Sequence, residues 1–221
     1  MRISLYGRWI FFSNPKTGST SIRHILDKSS DKYFKKKLLN DLIKNITHYS
    51  QHIEHIKYRE LEKALLKYRI KIEKFFTFIT IRNPWERVVS LYFYEKPDKN
   101  KKPHYDINYD KSSAFAYSFS EWFNINNFTW LSLDNWAFEN NKQIIKKIYK
   151  IENFSINQLN KDLGEFYEKN NIKKLKFYYN GKIPVKNKSK HMHYTRYYKN
   201  KEMINKVKNE MYESKYYKFG E

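Results

Sequence analysis

Apolar residues along this chain fall into two rhythms. Trp9-Ile10-Phe11-Phe12 is an unbroken apolar run of strand length, closed by the turn signal Asn14-Pro15. Ile22, Ile25 and Leu26 then recur at helical spacing, so this stretch predicts a strand, a tight loop and a helix. Residues 75–81 are nearly continuous in apolar and β-prone side chains, the pattern of a strand covered on both faces in a parallel sheet. That run stops at Arg82-Asn83-Pro84, and Pro84 suits the first turn of a helix continued by Val88, Val89, Leu91, Tyr92 and Phe93. A third core strand is predicted over 144–151. Amphipathic helices are predicted over 35–45, 58–68, 156–170 and 202–217, and an aromatic helix over 115–123. Residues 96–113 and 184–198 carry no periodicity and predict surface loops.

The pattern describes an α/β protein with a central, mostly parallel sheet flanked by helices. Two strand–loop–helix units sharing such a sheet bring both loops to the carboxyl edge, where α/β proteins bind ligands. At 221 residues the chain is expected to form one domain over 1–221, with a core of its own. Its 40% hydrophobic and 19% aromatic content excludes a disordered chain. Cysteine is absent, which excludes disulfides, thiolate metal sites and cysteine nucleophiles and fits a reducing compartment. No signal peptide and no apolar run of membrane-spanning length is read, so a soluble, cytoplasmic protein is expected.

The net charge is +21, a field that concentrates anionic partners such as nucleotides, acidic sugars or nucleic acid. Joint enrichment in Lys, Asn, Ile and Tyr offers a purely compositional origin for the same charge. The first loop narrows the choice. Lys16-Thr17-Gly18-Ser19-Thr20-Ser21 puts a full charge, hydroxyls and unpaired backbone N–H groups at a helix start, where an anion is favoured. It is not the mononucleotide loop of ATPases, because Ser19 follows Gly18 directly and the lysine precedes the glycine. An ordinary turn with Ser and Thr caps gives the same residue types. In the second loop, Arg82 at the strand end and Ser90 on the helix suit another phosphate, while Arg82 and Arg87 could equally pair with Glu86.

Taken together, Pro15-Lys16-Thr17-Gly18-Ser19-Thr20-Ser21 and Arg82-Asn83-Pro84-x-x-Arg87-x-x-Ser90-x-Tyr92 resemble the sulfotransferase superfamily. The branch most resembled is that of carbohydrate sulfotransferases, with the uronyl and heparan 2-O enzymes and relatives of bacterial or viral type. Ile151-Glu152-Asn153-Phe154 resembles that branch's third-strand signature. Asn187-Lys188-Ser189, followed by Tyr194, Tyr197, Tyr198 and Tyr217-Lys218-Phe219-Gly220, resembles its C-terminus. The resemblance implies a three-layer, P-loop-like fold and 3′-phosphoadenosine 5′-phosphosulfate (PAPS) as sulfate donor, leaving 3′-phosphoadenosine 5′-phosphate (PAP). By position, Lys16, Thr17, Gly18, Ser19, Thr20 and Ser21 would cradle the 5′-phosphosulfate, with Lys16 neutralising the bridging oxygen. Arg82 and Ser90 would bind the 3′-phosphate, Arg87 is read equally as structural, and Lys188 and Lys190 are weaker candidates to close over the nucleotide. No metal is expected.

The resembled branch also implies a histidine base between the two motifs. An imidazole suits the task, since its ordinary pKa of about 6.5 lies near operating pH. His55, just ahead of the helix predicted over 58–68, matches best; His52 is second, and His48 lies further away. His24 reads as a packing residue, and His191 and His193 as residues near the substrate. A carbohydrate or glycoconjugate acceptor is implied, an acidic sugar suiting the charge, with Trp122, Trp130 and Trp136 available either to stack on sugar rings or to pack the core. A small-molecule kinase lacks its Gly-Lys-Ser/Thr signal here. A nucleic-acid-binding module would use the charge, but the basic residues are scattered and no recognised motif appears.

Overall fold

The computed structural model describes residues 1–27, 55–95, 117–173 and 191–220. The helix predicted over 35–45 and the loop predicted over 96–113 lie outside them, as do His48, His52, Lys188 and Lys190. In chain order the elements are β1 (Arg2–Ser4), β2 (Trp9–Phe12), α1 (Ser19–Leu26), α2 (Tyr58–Leu66), β3 (Phe76–Ile81), α3 (Pro84–Glu95) and α4 (Phe119–Ile125). There follow α5 (Asp134–Ala137), β4 (Phe138–Glu139), β5 (Lys142–Gln143), β6 (Lys147–Lys150), α6 (Ile156–Lys169) and α7 (Lys201–Glu210). They divide into two compact units, Met1–Ile81 with Asn135–Lys186 and Arg82–Asp134 with Asn187–Glu221.

The first unit is built on a sheet of order β1-β2-β3-β6, in which β1 runs antiparallel and the other pairings are parallel. Every residue of β2 and β3 is buried, as their unbroken apolar runs require. Register sets Trp9 against Phe76 and Phe11 against Phe78, so these rings share one face. There, with Tyr149 of β6, they pack on Ile22 and Leu26 of α1 and on Leu159, Leu163 and Tyr167 of α6. Phe12 takes the opposite face and stacks on Tyr58 of α2, with centroids 5.8 Å apart. Burial and the nearby Glu62 carboxylate push the Tyr58 phenol up to about 12. Helices therefore cover both faces, as expected for a sheet of this kind.

The strand predicted over 144–151 is shorter and, among the described residues, lies at the sheet edge. The N–H groups of Ile144 and Ile145 turn to the carbonyl of Ala137, at 2.8 and 3.4 Å, closing the β4–β5 hairpin. Asn140 and Asn141, both at positive φ, form the two-residue turn of that hairpin, and Ile151 already belongs to the 3-10 turn Ile151–Asn153.

In the second unit α3, α4 and α7 enclose a core of Val88, Leu91, Tyr92, Phe119, Trp122, Phe123, Phe128, Met203 and Val207. The helix predicted over 115–123 begins at Phe119, because Ser118 caps it by accepting from the Glu121 N–H while Glu121 bonds back to the Ser118 N–H. The helix predicted over 202–217 ends at Glu210. Met211 is extended, and the 3-10 turn Tyr212–Tyr216 carries Glu213 into the interior, so one continuous helix is broken by one buried charge. No helix among the described residues is long and apolar enough to cross a membrane.

Candidate active site

In the first unit, the loop from Ser13 to Gly18 leaves the end of β2. Lys16 and Gly18 both adopt left-handed backbone conformations, with φ of 60° and 72°. Turns of this kind make the concave backbone surfaces that collect anions. Thr17 is buried; its hydroxyl donates to the Asn14 carbonyl at 2.8 Å, and the Thr80 hydroxyl donates to the Thr17 carbonyl at 3.2 Å. The loop is thereby tied to the carboxyl end of β3, and Thr17 acts as its strut. The first bonds of α1 run from Ser21 and Ile22 to the Gly18 carbonyl, so the N–H groups of Ser19 and Thr20 lie at the open helix start. Gly18 supplies no side-chain cap and the first turn holds no acidic residue, so nothing in that turn offsets the helix dipole. Thr20 accepts from Arg23 at 3.2 Å, and Ser19 and Ser21 are buried.

Gly18 has a second reason to be glycine: a Cβ built there lies 2.8 Å from Ile151 Cγ1. Gly18→Ala is expected to lose about 1–2 kcal/mol from the left-handed backbone alone. A further loss comes from the clash with Ile151. Urea unfolding of Gly18→Ala with and without Ile151→Ala separates the two, since only the steric part is recovered in the double variant.

His55 lies just ahead of α2 and is half-buried, with Nδ1 2.6 Å from the Ser13 carbonyl oxygen. A carbonyl only accepts, so Nδ1 holds the proton and the neutral ring keeps its lone pair on Nε2. The bond joins His55 to the residue that opens the Lys16 loop. Trp136 of α5 packs edge-on against the imidazole, with centroids 6.4 Å apart and ring planes at 85°. Arg59 of α2 forks onto Glu139 of β4 and also pairs with Glu62. Glu139, and after it Glu62, hold the Arg59 guanidinium above its ordinary value.

In the second unit, Arg82 bonds to Glu86 at 2.6 Å across one turn of α3. Burial opposes charge on Glu86, but the hydrogen bond and charge of Arg82, with lesser help from His191 and His193, hold its carboxyl below the usual range. Asn83 caps α3 by accepting from the N–H groups of Trp85 and Glu86 at 3.1 and 3.3 Å. Its amide donates to the Tyr194 hydroxyl, which also accepts from the Gly220 N–H at 2.8 Å. Tyr198 donates to the Trp85 carbonyl at 2.9 Å, and Phe219 packs edge-on against Trp85. The C-terminal tyrosines and Phe219-Gly220 are therefore the scaffold of the Arg82 loop. Ser90 is buried on α3, as is Arg87, which pairs with Glu213.

The Lys16 loop and His55 meet through Ser13, while in the other unit Arg82 lies just ahead of α3 and Ser90 on it. His24, read as a packing residue, is instead exposed on α1, on the side that Ile22, Ile25 and Leu26 leave to solvent. His191 stacks on Phe93 at 5.3 Å. Trp122 and Trp136 are buried and Trp130 is about half exposed. Thr80, Glu139 and Glu213 carried no local sequence signal, whereas Asn83 ahead of Pro84 is a helix-cap pattern readable in advance.

A family model described as "Sulfotransferase family" matches residues 9–216, a span that takes in both loops, His55, Tyr194 and Tyr198. The chain belongs to the sulfotransferase family, and its chemistry is sulfuryl transfer to an acceptor. No curated protein and no solved structure matches it.

Proposed function

We propose that this chain moves a sulfuryl group from PAPS to a hydroxyl of a carbohydrate-type acceptor, using His55 as general base and Lys16 as electrophilic assistant. The observation that carries the reading is the His55 Nδ1–H bond to Ser13, because it leaves Nε2 basic on a ring tethered to the anion loop. The donor set fits the nucleotide. A left-handed Lys16, a glycine too crowded for a side chain and an uncapped helix start suit the 5′-phosphosulfate, in the manner of a P-loop-like turn. Arg82 and the buried Ser90 suit the 3′-phosphate, with Glu86 holding Arg82 in place meanwhile.

PAPS supplies a sulfuryl group joined to phosphate through a bridging oxygen. His55 Nε2 takes the proton of the acceptor hydroxyl as its oxygen bonds to sulfur, and the Lys16 ammonium sits against the negative charge left on the bridging oxygen. Backbone N–H groups at Ser19 and Thr20 add fixed donors of the kind that usually provide the largest catalytic term. The net charge of +21 favours an acidic sugar as acceptor, and the absence of cysteine suits work in the cytoplasm.

The test is PAP binding by calorimetry. Lys16→Ala and Arg82→Ala each remove a charge-assisted bond of about 1.5–3 kcal/mol, so each is expected to raise Kd by roughly 10- to 100-fold. Wild-type affinity in both would overturn the donor assignment. Labelled PAPS offered against a panel of neutral and acidic sugars then reads the acceptor class.

A further inference from the structure

We infer that Trp136 belongs to the acceptor side of the site and that its indole Nε1–H donates a hydrogen bond to an acceptor oxygen. The inference rests on the reading of His55 as base, and it begins from an anomaly. Trp136 is 4% exposed, and its Nε1 is buried with no hydrogen-bond partner among the described residues. Buried indole N–H groups are almost always satisfied, because leaving one unmade costs folding free energy. Two other well-buried tryptophans show the usual state: Trp85 Nε1 donates to the Ile204 carbonyl at 3.1 Å and Trp122 Nε1 to Glu95 at 3.0 Å. Trp136 alone among these three keeps its donor unused, and it is the one beside His55.

The placement is held from both sides. His55 is fixed to Ser13, and the helix that follows it carries Arg59. Arg59 forks onto Glu139, three residues beyond Trp136, with Nε 2.8 Å from Oε1. The Ala137 carbonyl, next to Trp136, anchors the hairpin through the Ile144 N–H at 2.8 Å. Imidazole and indole are therefore held edge-on against each other, with centroids 6.4 Å apart, a span one sugar ring can bridge. A hydroxyl whose proton faces His55 brings a neighbouring oxygen, hydroxyl or carboxylate, towards the indole N–H. A site that hydrogen-bonds its substrate in this way discriminates against analogues lacking that oxygen.

Trp136→Phe removes the N–H and keeps an aromatic ring. The apo variant is expected to lose only the packing of the second ring, since the lost donor had no partner. In the PAP-bound protein, a chondroitin oligosaccharide serves as a probe rich in hydroxyls and carboxylates. Its addition is expected to move the Trp136 indole signal in the ¹⁵N–¹H spectrum, assigned by its disappearance in Trp136→Phe. Binding of the probe should weaken about three- to tenfold in the variant, with PAP affinity unchanged. An indole signal unmoved by the probe would overturn the proposal, as would probe affinity unchanged in Trp136→Phe. Full turnover in a His55 variant would sink the base assignment and leave the indole response standing, so the two failures are distinguishable.

Discussion

Glu213→Ala is expected to destabilise the protein by about 3–5 kcal/mol, the usual cost of leaving a buried charge uncompensated. Arg87 and Glu213 have fully buried side chains, and Glu213 also accepts from the Leu133 N–H at 2.8 Å. Burial drives the Arg87 guanidinium below its ordinary value, and Glu213 opposes that shift through its charge and hydrogen bond. Alanine at 213 strands two partners at once: the guanidinium and a backbone N–H. The double variant Arg87→Met with Glu213→Leu removes the charges together. It is expected to recover much of the loss, short of about 1–3 kcal/mol for the Leu133 N–H that still lacks an acceptor. Urea unfolding of both variants measures the difference, and equal losses would show that packing rather than charge holds the pair. The consequence reaches the candidate site, because α3 carries Arg87 and Ser90, and Arg82 and Asn83 lie just ahead of its first residue.

How much of this was legible in the sequence depends on the range of the interaction. β2, α1, β3 and α3 are built from local patterns, and they lie where apolar runs and helical spacing put them. Pro84 likewise announced a helix start. The chain departs from its own periodicity where distant residues intervene. Glu213 interrupts a predicted helix because Arg87, 126 positions away, needs a counter-charge. The strand predicted over 144–151 loses its beginning to a hairpin whose acceptor, Ala137, precedes it. Arg87 illustrates both sides. Its place in the motif is local, yet only the fold shows that it is buried and faces Glu213. The candidate site divides in the same way: Lys16, Gly18, Arg82 and Ser90 stand in recognisable spacing, whereas the bond from His55 to Ser13 spans 42 positions and had no pattern of its own.

His55→Ala is expected to lower kcat by roughly 10²–10⁴-fold, the range for loss of a positioned general base. PAP affinity should be little changed, because the role proposed for His55 is toward the acceptor. A second reading of the structure sharpens the test. With Nδ1 donating to Ser13, a base at His55 would use the lone pair on Nε2, so protonation of the ring would abolish catalysis while the Ser13 bond persists. The wild-type rate should therefore fall on the acid side of its pH profile, and that limb should vanish in His55→Ala, leaving a low, flatter profile. His55→Asn offers a side-chain amide that can still donate to Ser13 but has no basic nitrogen; it is expected to restore thermal stability without restoring turnover. An unchanged kcat at saturating donor in His55→Ala would remove His55 from the chemistry. Recovery of turnover in His55→Asn would make its role one of holding the Ser13 end of the loop. Loss of turnover in both, with PAP binding intact, isolates proton abstraction as the step that His55 performs.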